Sequence, residues 1–162
     1  MSAAIVASKS IANHDAYLAG LLPNTTTPHE WINTLRADAA RRVCALPFPT
    51  TRDEEWRFSD FSLMCKTAFA PAVAAPALTL TDIAPFLLPE AVNSRLVFVN
   101  GMYAAHLSSA VLPAGVLATH FTSKPTNETL RTQLARHATF QHEAFVALNT
   151  SHMQDGALIV LS

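Results

Sequence analysis

Seven histidines and two cysteines are the residues of this chain best suited to metal or nucleophilic chemistry, and their spacing decides how far that chemistry goes. Among His14, His29, His106, His120, His137, His142 and His152 no two lie four apart, the separation that puts two imidazoles on one helical face. His29-Glu30 and His142-Glu143 each begin an HExxH pattern, but the fifth positions are Asn33 and Val146, which excludes a zincin site. The remaining metal hypothesis is a site folded together from His137, His142 or His152, weighed against ordinary surface or capping histidines. Cys44 and Cys65 match no CxxC spacing and are too few for an iron–sulfur site that takes all its ligands from cysteines of one chain, which predicts free thiols in a reducing cytosol. Glu54 and Glu55 are the candidate acid/base carboxylates, yet neighbours on a helix diverge by about 100° and do not converge on one substrate. Gly20, Gly101, Gly115 and Gly156 form no phosphate or dinucleotide loop and no GxSxG elbow, and no local motif supports a Ser/His/Asp triad. The sequence therefore predicts no catalytic, cofactor-binding or metal-ligating residue.

The stretch that must position whatever site exists is Leu46 to Phe61. Pro47 and Pro49 remove two backbone donors and push Leu46 and Phe48 out of the helical region, so a preceding helix stops there. Thr51 lies three residues before Glu54, the capping-box spacing, and Asp53, Glu54 and Glu55 crowd the positive end of the helix this predicts. Asp53 and Arg57 are spaced as an i,i+4 pair. At helical spacing Trp56 and Leu63 share one face and Phe58 and Phe61 another, which predicts a short wedge with Trp56 buried between a helical hairpin and a strand region.

Periodicity places the other elements around it. Ile11, His14 or Asp15, Leu18 and Leu22 suggest a short helix from about Ser10 to Leu22. A second helix is predicted with Thr27 as cap, Pro28 at its first position, Glu30 completing a capping box, and a stripe of Trp31, Leu35, Ala39, Val43 and Leu46. Residues 68–94 begin with an Ala/Pro-rich connection, Ala68 to Ala77, and hold a brief helical turn capped by Thr81. Arg95 to Val99, Asn100-Gly101 and Met102 to Leu107 read as a β-hairpin with a type I′ turn, with Val116 to Phe121 as a third strand. Asn127 is expected to cap a helical run in which Leu130, Leu134 and Ala138 share a face and Phe140, Ala144 and Leu148 continue the spacing. After the Asp155-Gly156 turn, Ala157 to Leu161 is an all-apolar strand, read as the open edge of a fragment whose partners lie further on and as a candidate for self-association. The fold class is α+β, as one module with a helical part (1–67), the connection (68–94) and a part of strands and helices (95–162).

Eleven basic against twelve acidic residues leave a net charge of -1, and hydrophobic residues make up 50% of the chain. A nucleic-acid footprint or a polybasic membrane patch is not expected, and the N-terminal stretch reads as neither signal peptide nor membrane span. Against this background one motif is specific. Pro49, Thr51, Arg52, Asp53, Glu54, Glu55, Trp56 and Arg57, followed by the aromatic Phe58, resemble the N-terminal signature of SufD within the SufB/SufD family. That family more often has Tyr-Thr after Trp-Arg, where this chain has Phe58-Ser59. Val99-Asn100-Gly101, Phe145 to Asn149 and Asp155-Gly156-Ala157 are similar to further family segments.

The resemblance implies the N-terminal domain of a non-catalytic scaffold subunit of cytoplasmic iron–sulfur cluster assembly, in a complex with SufB and SufC. It also implies that the chain leads into a β-helix core absent from these residues. The cluster would be handled by the whole complex, and no cofactor is bound by this part. Two alternatives from other classes stand beside it: a small cytosolic hydrolase-like enzyme with a folded-together His/carboxylate site, and an unrelated protein-binding module.

Overall fold

The longest helix, α1 (Glu30–Ala45), ends one residue before Leu46 turns extended ahead of Pro47, which cannot continue a helical hydrogen-bond ladder. This is seen in a computed structural model that describes Tyr17 and residues 20–62, 64–69, 77–124 and 126–161. Most of the helix expected from Ser10 to Leu22, most of the Ala68 to Ala77 connection, and Leu63 lie outside the described residues. The chain divides into two units, residues 1–71 with 135–152 and residues 72–134 with 153–162.

In the first unit α1 packs against α4 (Ala144–His152). The start of α1 corrects the expected capping box: Thr27 does not bridge to Glu30, and the helix begins at Glu30 with His29 as N-cap. Thr27 instead clamps Asn33, donating N–H (2.7 Å) and Oγ1–H (3.0 Å) to its Oδ1 while Asn33 Nδ2 donates to the Thr27 carbonyl (2.8 Å). A side chain one turn further in competes for the threonine. The apolar stripe is present but rotated: Ile32, Arg36, Ala39 and Val43 are buried, while Trp31 is half-buried. Ala39, Val43, Phe48, Phe140, Ala144 and Ala147 form the core, flanked by Leu22, Leu35, Leu46, Met64 and Phe145. Arg42 Nε donates to the Gln141 carbonyl (3.2 Å), tying α1 to the segment that enters α4.

The second unit contains α2 (Leu80–Ile83), β1 (Ser94–Arg95), β2 (Phe98–Val99), β3 (Met102–Tyr103), β4 (Ser109–Ala110), β5 (Val116–His120), α3 (Glu128–Gln133) and β6 (Ala157–Leu161). The cap of α2 is Thr79 rather than Thr81: its N–H and hydroxyl both donate to Asp82 Oδ2 at 2.7 Å. Asn100 (φ 51°) and Gly101 (φ 81°) are both left-handed, as a type I′ turn requires, and set Phe98 opposite Tyr103 and Val99 opposite Met102. The hairpin is shorter than expected, because Ala105–Leu107 coils into a 3-10 turn that buries Leu107 against Val99 and Ala104.

β5 corrects a second expectation: it joins not the hairpin but β6, antiparallel, with Val116 opposite Leu161 and His120 opposite Ala157. The described sheets are three antiparallel two-stranded pairs: β1 with β4, β2 with β3, and β5 with β6. Asn127 caps α3 as expected, its Oδ1 accepting from Leu130 N–H at 2.9 Å. The helical run does not continue to Ala138, because Leu134 is extended and Ala135 takes φ 59°, so α3 and α4 are separate helices. The architecture is α+β.

Candidate functional site

The Leu46 to Phe61 stretch builds a groove rather than a wedge. Thr50, not Thr51, organises it: its N–H (2.7 Å) and hydroxyl (3.0 Å) donate to Asp53 Oδ2, and only the 3-10 turn Glu54–Trp56 follows. Asp53 is consumed by this turn, so the expected pairing with Arg57 is replaced by Arg57 Nη1 to Glu54 Oε1 at 2.8 Å. Hydrogen bonds from Thr50, first its backbone and then its hydroxyl, hold the Asp53 carboxyl below the usual carboxylate range. A carboxyl depressed on folding contributes above the ordinary range, and its share in the turn is lost only as the pH falls through the lowered value.

Trp56 is half-buried rather than buried between layers. Its ring lies 5.0 Å from Phe61 and 5.5 Å from Phe145 of α4, and Phe145 also meets Phe48 (5.0 Å) and Phe61 (4.8 Å). The four rings make one cluster, while Phe58 is 88% exposed under the Arg57 guanidinium, 4.6 Å above its centroid. A Trp56→Ala variant is expected to lose about 2–3 kcal/mol in urea denaturation, somewhat below the range for a fully buried aromatic because part of the ring already meets water. A loss under ~1 kcal/mol, the scale of surface changes, would show that the cluster does not depend on it.

Pro47, Phe48, Pro49 and Trp56 line an open groove of about 310 Å³, and Asp53, Glu54, Glu55, His142, Glu143 and Ala144 complete its walls. Folding thus brings together Glu54, Glu55 and His142-Glu143, which the sequence gives no reason to associate. Of the other two histidines in the metal hypothesis, His137 is exposed and His152 Nε2 bonds the Leu21 carbonyl. Among the described residues no three His, Cys, Asp or Glu side chains come together as a metal site. His29 holds the α1 N-cap position and His106 bonds the Leu78 carbonyl at 3.0 Å. His14 lies outside the described residues. Cys44 is an exposed free thiol.

The second unit holds a pair that sequence reasoning missed. His120 Nδ1 lies 2.9 Å from Asp155 Oδ2 and 2.9 Å from Thr122 Oγ1, with the Tyr103 ring stacked on the imidazole at 4.3 Å and 10°. Asp155 is 3% exposed at its side chain and also accepts from Thr122 N–H (3.3 Å) and Gly156 N–H (2.9 Å). Ser123 Oγ nearby donates to the His120 carbonyl at 2.7 Å, so it is turned to the backbone and not to the imidazole.

The chain is an α+β protein in which the Pro47 to Trp56 segment and the start of α4 line an open groove. The chain belongs to the SufB/SufD family: the family described as SufBD protein N-terminal region matches residues 24–162. It is similar to a Synechocystis sp. protein named as an iron–sulfur cluster assembly SufBD family protein, with 36% identity over 128 residues, 76% of this chain and 28% of that protein. The chain therefore spans less than a third of the length of that curated relative. Among the described residues no helix is long and apolar enough to cross a membrane.

Proposed function

We propose that this chain serves as the N-terminal region of a SufD-type scaffold subunit of iron–sulfur cluster assembly, without catalytic activity of its own, working in the cytosol beside SufB and SufC. The observation that carries the proposal is the segment Pro49 to Phe58. It is the stretch that resembles SufD, and in the fold its Pro49, Asp53, Glu54, Glu55 and Trp56 line the groove. The relative named for iron–sulfur cluster assembly supports the same direction. In this proposal the cluster is cargo of the assembled complex and is not held by residues of this region.

A chimera in which this chain replaces the N-terminal region of SufD is expected to restore iron–sulfur enzyme activity in a SufD-deficient bacterium, and the matching SufB chimera to fail in a SufB-deficient one. Rescue through SufB alone would overturn the SufD assignment. Elemental analysis after anaerobic reconstitution is expected to find no stoichiometric iron or zinc. One tightly held metal per chain, lost on changing His137, His142 or His152, would overturn the statement that this region holds none.

The same proposal includes self-association through β6. Ile159 (63% exposed) and Leu161 (76%) share one face of the β5–β6 pair, and among the described residues β6 is hydrogen-bonded to β5 alone. An apolar strand with an open edge is a template for pairing. Light scattering is expected to show concentration-dependent dimers that Ile159→Lys abolishes; a monomer throughout the series would remove this element of the proposal.

A further inference from the structure

We infer that the groove between the Pro47–Trp56 segment and the start of α4 is a docking site for an arginine-bearing segment of a partner protein. Its floor is apolar, made by Pro47, Phe48, Pro49 and the half-buried Trp56. Its rim carries four carboxylates, Asp53, Glu54, Glu55 and Glu143, and neither lysine nor arginine is among its lining residues. Two of these charges are already engaged, Asp53 by Thr50 and Glu54 by Arg57. Glu55 and Glu143 carry no ion pair among the described residues, and they approach the groove from different segments of the chain. His142 is the only lining residue that could bring positive charge.

Charge complementarity therefore selects a cation, and the floor selects which one. A guanidinium is planar, weakly hydrated for a cation and forked, so it can lie on an indole face and still donate to carboxylates at its edge, whereas an ammonium is a compact, strongly hydrated point charge. A groove lined by aromatics, as this one is by Phe48 and Trp56, is also the kind of surface on which extended, proline-rich peptides lie. A groove of about 310 Å³ accommodates one long side chain and its neighbours, not a folded domain. The inference rests on this groove and not on the assembly proposed above, and its test does not involve cluster chemistry.

The probe is a blocked peptide, acetyl-Pro-Arg-Pro-Leu-Pro-Arg-Pro-amide, compared with versions carrying lysine or citrulline in place of both arginines. Binding to the full chain is followed by amide and indole chemical shifts at about physiological salt. The arginine peptide is expected to saturate and to move the Trp56 indole and the His142 and Glu143 amides. The citrulline peptide is expected not to bind, and the lysine peptide to bind several-fold more weakly. Glu55→Gln with Glu143→Gln, both at exposed positions compatible with an intact fold, should weaken the arginine peptide by about tenfold, which is what the loss of two modest charge pairs amounts to. Three results would each overturn the inference: no saturable binding up to millimolar peptide, equal affinity for the arginine and citrulline peptides, or an unchanged affinity in the double glutamine variant.

Discussion

Replacing Arg36 by alanine is expected to cost about 3 kcal/mol in urea denaturation, among the largest effects of any single change in this chain, because a buried charged donor is lost together with the stem that packs beside it. Arg36 is 4% exposed in the middle of α1. Its Nε donates to the Ser151 carbonyl at 3.0 Å and its Nη2 to Thr25 Oγ1 at 3.3 Å, and burial pulls the guanidinium below its ordinary pKa. Ser151 is fully buried near the end of α4, so this bond bolts α1 to α4 across the core of the first unit. Arg36→Met keeps the stem but leaves the Ser151 carbonyl without its donor, and about half of the loss is expected to remain. A loss below ~1 kcal/mol for Arg36→Ala would show that water takes over the carbonyl and that the bolt contributes little.

Arg36 also shows where sequence reasoning runs out. An arginine flanked by Leu35 and Ala37 reads as a solvent-facing residue, since nothing within one turn of it explains burial. Its acceptor is 115 positions away, on a helix whose packing against α1 has no local signature. What was legible in this helix is what local physics dictates: the stop at Pro47 and the burial of Ala39 and Val43. The cap was not, because Thr27 has two neighbours of suitable chemistry, and the amide of Asn33 satisfies it with three hydrogen bonds where a capping box with Glu30 offers two.

The same contrast separates hairpin from groove. Asn100-Gly101 specifies its own turn, since both residues must be left-handed, and the structure places them there. Thr50 to Trp56 offers two overlapping turn chemistries, a capping box from Thr51 to Glu54 and a box-like pairing one residue earlier, in which the Asp53 carboxylate reaches back to Thr50. The latter wins, ending the segment after one 3-10 turn and sending Phe61 and Phe58 to different fates. The Trp-Arg motif was readable as a family mark, but not as a groove, because the opposite wall is His142-Glu143-Ala144 and the fourth ring of the cluster is Phe145. Those partners are set by the α1–α4 packing, which is a tertiary fact.

Asp155→Ala is expected to destabilise the second unit by about 2–4 kcal/mol, since one buried carboxylate serves three donors and its removal takes that acceptor from all of them. The donors are His120 Nδ1 at the end of β5, the Thr122 N–H just after it, and the Gly156 N–H that opens β6. A carboxylate at Nδ1 calls for the proton on that nitrogen, which fixes the imidazole in the plane where Tyr103 stacks on it. Asp155 thus joins the ends of the two strands at the point where Phe121 N–H also meets the Gly156 carbonyl at 2.9 Å. The backbone there has little room to adjust: a Cβ on Gly156 would fall 2.5 Å from Phe121 Cε1, against the edge of a side chain whose residue is itself 3% exposed. Asp155→Asn retains an acceptor for the backbone N–H groups and lets His120 switch tautomer, so it is expected to recover more than half of the loss. Hydrogen exchange locates the effect, with faster exchange expected along β5 and β6 in Asp155→Ala and unchanged protection in α1. Uniform loss of protection across both units would contradict a local joint, and a stability within ~1 kcal/mol of the parent would show that the buried carboxylate is dispensable.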